Sequence, residues 1–571
     1  MMLPIAALVM AQASAIPPLA PADLIFTRGK VWAGKGLPEA TALAVRGETI
    51  AAVGSDAEVL RWKGPATRVV DLKGRRVVPG FNDAHLHFAS GGFGLLSLDL
   101  RSAKDEAEMA ARIAAFAATL PPGRWITGGR WDHELWTRKV LPSRASLDPG
   151  TQKNPVLVSR VDGHEALASS LALKAAGITR DTPDPAGGTI VRDARGEPTG
   201  ILKDNAMDLV TKVIPPPSRE ETLAAVRAAM REAARLGVTS VQDNSPASAL
   251  RAYRDLRRAG ELTVRISAWQ GSESLEALRA AGIVGGIGDD WLRIGAVKLF
   301  ADGSMGSGTA AFFAPYADDP STSGLLLSGD VQLKELIRSA DAAGFQVAVH
   351  AIGDRANALV LDALQEIEKA TGHRAVRPRV EHAQAIRTAD LARYRALGAL
   401  ASIQPSHCIT DLAWAEKRIG PVRVHDAYRF RSLLDAGIPV AFGTDWSVEP
   451  LDPRIGLYAA VTRESQEGGP KGGWHPEEKL TIEEALDLYT RGSAFAEFAE
   501  ERKGTLEPGK LADLVVFGAD ILAIGKTDPR ALLTAPVELT VVGGRIAFEA
   551  RPATREGKGA DRQPDERPTV R

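Results

Sequence analysis

Two hydrophobic patterns divide the chain. Between Asp23 and Val78, apolar β-branched stretches such as DLIFTRGKVW, TALAVRGETIAAVG and RVVDLKGRRVVPG are broken by glycine and charged turns, which predicts short strands. The same texture returns near the C-terminus in LADLVVFG and PVELTVVGGRIAFEA. Between them lie eight apolar segments: VVPGFNDAHLH, GVTSVQD, LTVRISAW, LRIGAVKLF, FQVAVHA, PRVEHA, ALASIQP and IPVAFGTD. Most are separated by helical stretches such as SREETLAAVRAAMREAARLG and DVQLKELIRSADAAG. Near-continuous apolar strands alternating with helices predict a closed parallel (β/α)8 barrel of the TIM type over 79–504. The all-β pieces on either side, 21–78 and 505–550, predict one β-sandwich assembled from both chain ends. The interval from His87 to Gly237 is too long for a single crossover. It predicts an inserted cap subdomain at about 93–235, rich in Trp and Pro (GGRWDHELWTRKVLP). The polar stretch 551–571 reads as a disordered tail.

Composition narrows the function. The 571 residues are 44% hydrophobic and 25% charged, a balance that supports a real core. Lys+Arg (70) and Asp+Glu (71) nearly cancel, so nothing marks a nucleic-acid footprint or a polybasic membrane anchor. No internal apolar run reaches the roughly 20 residues of a spanning helix. A small-molecule substrate is expected, with no nucleic-acid or membrane partner; a homodimer is compatible with such a barrel, although no sequence feature shows one. Cys408 is the sole cysteine, which excludes an intramolecular disulfide and a Cys-rich metal knuckle. The stretch LPIAALVMAQASA ends in Ala13-Ser14-Ala15, like a signal-peptidase site. Residues 1–20 therefore read as a leader and the protein as periplasmic or secreted. The leader lacks a basic n-region, which leaves a cytoplasmic location open.

Five of the eight expected strands end in a potential metal ligand or carry one close by. In an extended strand, i and i+2 point the same way, so His85 and His87 can share one face. His350 follows an apolar run on the fifth strand, His382 ends the sixth and Asp445 the eighth. Each has an ordinary explanation alone: a satisfied rim histidine or a helix-capping carboxylate. Together they fall where barrel active sites are built, at the C-terminal ends of the strands. Lys298 interrupts an apolar strand. A buried lysine must be neutral, paired or modified. A neutral amine can add carbon dioxide to form a carbamate that bridges two metal ions; hydrogen bonding to Asp302 or substrate beside a single metal is the alternative.

These motifs spell out a family. PGFNDAHLH, VKLFADGSMGSGTA, HAIGDRA, RVEHAQ, GTDW and KGTLEPGKLADLVVF resemble the amidohydrolase superfamily, and within it the branch containing N-substituted formamide deformylase. The resemblance runs from Asp23 to about Gly518. It implies that His85, His87, His350, His382 and Asp445 are metal ligands and that Lys298 is carboxylated. It also implies a divalent metal, Zn2+ or a neighbour, as one or two ions. DGHEALASSLAL resembles a family segment that usually reads Asn-Ser after DGH; Ser169-Ser170 stands there instead.

The expected activity is hydrolysis of a non-peptide carbon–nitrogen bond, an N-acyl or N-formyl amide, by metal-activated water, with Asp445 moving the proton. His164, Asp302, His407 and Trp131 are the candidate substrate contacts. The alternatives are a deaminase, lactonase or carbamate hydrolase on the same site, since barrel chemistry is set by loops, or a binding pseudoenzyme that kept the fold.

Overall fold

All eight apolar segments form strands in the computed structural model, which describes residues 20–160, 165–185, 187–373 and 375–550. They are β1 (Phe81–Leu86), β2 (Val238–Asp243), β3 (Arg265–Gly271), β4 (Leu292–Phe300), β5 (Val347–Ala351), β6 (Arg379–His382), β7 (Leu400–Ile403) and β8 (Val440–Phe442). Every neighbouring pair from β1 to β8 is parallel, in chain order. The chain thus folds as a TIM-like barrel with flanking sheets. Residues 1–19 of the expected leader, the tail from 551 and His164 lie outside the described residues.

The seam between β1 and β8 has no strand ladder and closes through the Asp83 side chain and through backbone bonds just beyond the strand ends. Asp83 accepts the Thr444 N–H at 3.0 Å and the Thr444 hydroxyl at 2.5 Å. Just beyond, the Asp445 N–H donates to His85 O at 2.7 Å. This approach requires Gly443, where an added Cβ would lie 2.5 Å from His85 N and 2.9 Å from Asp83 Oδ1.

Helix Arg219–Leu236 shows why its sequence takes this form. Ser218 caps it and Glu221 accepts from the Ser218 N–H at 2.7 Å, satisfying donors the first turn would leave open. Gly237, at φ 82°, ends it in the left-handed conformation that glycine adopts without strain. Leu223, Val226, Ala229, Met230 and Ala233 are buried along one face, and the helix packs on helix Phe88–Leu96 and on the C-terminal strands. It also packs on β2 of the barrel, and it lies in the interval expected for the cap. The inserted sheet itself runs from Leu98 to Asp204, in the order Gly188–Arg192, Pro198–Asp204, Glu165–Ala168, Val156–Arg160, Ile126–Trp131, Leu98–Asp99. Trp131 and Trp136 lie in one of its cores.

A four-stranded sheet is drawn from residues 24–71, and a five-stranded one joins Lys30–Val31 and Arg76–Pro79 to three C-terminal strands, Leu514–Phe517, Val537–Val542 and Arg545–Glu549. Leu24, Phe26, Val31 and Val77 share a core with Leu514, Val516, Leu539 and Val541, so neither end of the chain completes it alone.

Unlike the branched aliphatic filling usual for such barrels, this interior carries a charged column. Lys503 Nζ lies 2.7 Å from Glu497 Oε1 and 2.8 Å from Ser240 Oγ. Asn82 donates to Glu497 at 2.7 Å, and Gln242 donates to Asn82 at 3.4 Å. Arg379, fully buried, then bonds Gln242, Ala84 O (2.7 Å), Ser402 (3.0 Å) and Glu381 (2.8 Å). The column ends at the barrel mouth.

Candidate metal centre

At that mouth the expected ligands converge on Asp445. Its Oδ1 lies 3.2 Å from His87 Nε2 and 3.7 Å from His85 Nε2, and its Oδ2 lies 3.8 Å from His407 Nε2 and 3.9 Å from His382 Nδ1. Two triads result, His85–His87–Asp445 and His382–His407–Asp445, in each of which one ligand atom per residue falls within 4.8 Å of the others. The His350 and His382 rings are 4.4 Å apart, and Lys298 Nζ lies 3.3 Å from His85 Nε2.

Local backbone geometry aims these groups. β1 ends at Leu86, so His87 turns out of the strand as the residue preceding helix Phe88–Leu96. His382 and Asp445 have φ values of 70° and 57°, left-handed conformations that are costly for these side chains and cluster at functional sites.

Each ring is also held from behind. His85 Nδ1 is 2.5 Å from Glu381 Oε2, His87 Nδ1 2.8 Å from Asn244 O, His382 Nδ1 2.8 Å from Gln404 Oε1, and His350 Nε2 3.0 Å from Gly303 O. A partner on one ring nitrogen fixes the tautomer and frees the other nitrogen for a ligand. Glu381, Arg379 and Gln404 were not among the expected site residues. The signal for the first two is the alternation Arg379-Val380-Glu381, which puts two charges on one side of an otherwise buried strand.

Electrostatics favour a cation here. Burial pushes the His85 imidazole down to about 4 and that of His350 to about 3, both helped by Lys298, and drives His382 well below its ordinary value. The neutral ring is the ligating form. Burial also lowers His87, but the Asp445 carboxylate outweighs it and the net shift is upward. Burial raises Asp445, yet His87, His85, His382 and His407 hold it well below the usual carboxylate range. Burial pushes the Lys298 amine down to about 8 against the pull of Glu381 and Asp445. Asp445 Oδ1 and His407 Nε2 are buried without a hydrogen-bond partner of acceptable geometry. A buried carboxylate oxygen among imidazoles is the donor set that a divalent metal such as zinc satisfies.

The expected substrate contacts separate. His407 belongs to the centre, since its Nδ1 meets Gln384 Nε2 at 3.2 Å and its Nε2 faces Asp445. Asp302 borders the centre, its Oδ1 3.7 Å from His350 Nε2, but it is fully buried and accepts the N–H groups of Ala311, Ile352 and Gly353 at 2.8, 3.0 and 2.8 Å. Its carboxylate ties loops together. Trp131 is likewise a core residue, fully buried, its indole N–H donating to Val158 O at 2.8 Å. Phe300 stands exposed beside the centre. It is 46% exposed, with its ring 5.6 Å from that of His350 and 5.0 Å from Lys298 Nζ. The buried Trp269 ring stands 5.3 Å from the His85 ring.

A parallel eight-stranded barrel whose strand ends bring histidines around one carboxylate defines a protein of the metal-dependent hydrolase class. The Amidohydrolase family profile matches residues 68–548, and the chain belongs to that family. It is 35% identical over 548 residues to Protein LONG AFTER FAR-RED 3 of Arabidopsis thaliana, covering 92% of each chain. It is 29% identical over 532 residues to the N-substituted formamide deformylase of Arthrobacter pascens, covering 89% of this chain and 95% of that one. The crystal structure of an uncharacterized metal-dependent hydrolase from Pyrococcus furiosus superposes with a TM-score of 0.75 at 32% identity, over 87% of this chain and 99% of that one.

Proposed function

We propose that the protein hydrolyses a carbon–nitrogen bond outside ordinary peptides, in an N-acyl or N-formyl amine of small size. One observation carries the chemistry: Asp445 presents a buried, unpartnered Oδ1 beside His85 and His87. The similarity to a formamide deformylase over most of both chains supports the choice of bond.

His85, His87, His350, His382 and Asp445 would hold the metal. A bound divalent ion polarises the substrate carbonyl and lowers the pKa of water to about 7. Asp445 orients the attacking water and accepts its proton on Oδ1 as the new carbon–oxygen bond forms. His407 Nε2, buried and without another partner, donates to the oxyanion. Asp445 then returns the proton to the leaving nitrogen as the carbon–nitrogen bond breaks, giving a carboxylic acid and an amine. The Phe300 face receives an apolar substituent.

Lys298 deepens this reading. In the neutral form that burial favours, its amine can attack carbon dioxide, form a carbamate and release one proton. The resulting anion beside His85 would add two oxygens to the ligand set. Native protein equilibrated with 13C-bicarbonate should then show one carbamate carbon that Lys298→Ala lacks, and Lys298→Ala should lose metal from the barrel. Release of amine from a panel of N-formyl and N-acyl amines tests the activity. Turnover of amino-heterocycles or lactones with no amide turnover would overturn the choice of bond. An export leader at residues 1–20 also belongs to this proposal, and N-terminal sequencing from the native host tests it.

A further inference from the structure

Away from the barrel mouth, a second group of ligating side chains comes together from segments about fifty residues apart in sequence. His425 lies in the 3-10 turn Val424–Asp426; His475 precedes the turn Pro476–Glu478, which contains Glu477. Glu477 Oε1 is 3.6 Å from His475 Nδ1 and 4.0 Å from His425 Nδ1. The two imidazoles meet edge to face with centroids 4.5 Å apart. One ligand atom from each of the three falls within 4.8 Å of the others. For metal–ligand bonds of roughly 2.0–2.1 Å in a tetrahedron, ligand atoms stand about 3.3–3.4 Å apart. Closing the two gaps to Glu477 requires movements of roughly 0.2–0.7 Å and the gap between the two rings at most about 1.5 Å, and the side chains of His425 and Glu477, 63% and 61% exposed, are free to make them.

The platform is built in advance. His475 takes a φ of 49°, a left-handed conformation that a residue with a side chain adopts only when its surroundings impose it. Its ring packs on Trp474 at 4.7 Å. Arg463 donates to Trp474 O at 2.5 Å and to Tyr428 O at 2.9 Å, so a buried guanidinium already holds the segment bearing His475 beside the segment that follows His425. Pro476 then fixes the short path from His475 to Glu477. An imidazole pair with one carboxylate is a donor set suited to zinc and its neighbours rather than to calcium or magnesium.

We propose that His425, His475 and Glu477 form a second divalent transition-metal site, with water completing the coordination, that clamps these two surface segments together. It is independent of the barrel centre, which uses none of these residues.

Full-length protein stripped with chelator and reloaded with Zn2+ tests this by metal counting, with Co2+ absorption as a coordination readout. Wild type should hold one ion more per chain than His425→Ala at saturation, and the same difference should persist in an Asp445→Asn background. Zinc added beyond saturation of the barrel should raise the melting temperature of wild type and not of His425→Ala. Because His425 is exposed, this variant separates ligand loss from misfolding, which His475→Ala does not; Glu477→Ala provides an independent check. Equal ion counts in wild type, His425→Ala and Glu477→Ala would overturn the proposal. If Asp445→Asn lost no metal while His425→Ala lost one, the surface site would stand and the barrel reading would fall.

Discussion

Replacing Glu381 with alanine removes two contacts at once: the acceptor 2.5 Å from His85 Nδ1 and the partner 2.8 Å from Arg379 Nε. Loss of a carboxylate behind a ligating histidine lowers metal affinity about 10–100-fold, or about 1.4–2.7 kcal/mol. The second loss strands a buried guanidinium. Removing one partner of a buried pair costs about 3–5 kcal/mol, and the lower end applies because Arg379 keeps Ala84 O, Ser402 and Gln242. For a chain this long, an unfolding entropy of about 2 cal/mol/K per residue turns about 3 kcal/mol into a melting shift of only about 3 °C. Metal affinity is therefore the sensitive readout. Competition of the apoprotein with a chromogenic chelator should show the affinity loss in Glu381→Ala and a smaller one in Glu381→Gln, whose amide oxygen still accepts from His85. An unchanged affinity in a folded Glu381→Ala protein would refute the role assigned to this carboxylate.

Three further outcomes follow from the geometry. Asp445→Asn keeps the shape of the group but cannot carry the proton, so turnover should fall by about 10²–10⁴, read by amine release; full activity would exclude Asp445 as the proton carrier. Glu497 is buried, which raises its pKa, but Lys503 and Arg293 pull it down to about 2. A carboxyl depressed in the folded state contributes stability above its unfolded value near 4.5 and loses it as pH falls toward 2. Acid unfolding should therefore weaken the protein by an amount of order 3 kcal/mol across that window, and Glu497→Gln should flatten this dependence in denaturant titrations from pH 5 to 2. Gly443→Ala would press a methyl group 2.5 Å from His85 N. Overpacking of this kind costs about 1–3 kcal/mol. It should loosen the β1–β8 seam, seen as faster hydrogen exchange at the Asp445 amide.

Much of the architecture was legible in the chain because burial leaves a periodic trace. The eight apolar segments matched eight strands in chain order, since a strand covered on both faces must be apolar almost throughout. His85, His87, His350, His382 and Asp445, which the fold brings together, stood out for a related reason: polar residues ending apolar runs break the pattern. Lys298 stood out in the same way and proved buried.

What escaped depends on distance in sequence. Asp302 and Trp131 have the residue types of a binding site, and only packing reveals that backbone amides and His350 surround the one and a core of the inserted sheet encloses the other. Glu381 serves a histidine 296 positions away, and Asp83 meets Thr444 across 361. The sequence by itself determined the strands, the helices between them and the kinds of ligand available at the barrel mouth, because these follow from local patterning of burial and polarity. The tertiary structure decided which carboxylate faces which imidazole, because partnership in a closed barrel is set by strand order and backbone turns such as those at His382 and Asp445, on which local periodicity has no hold.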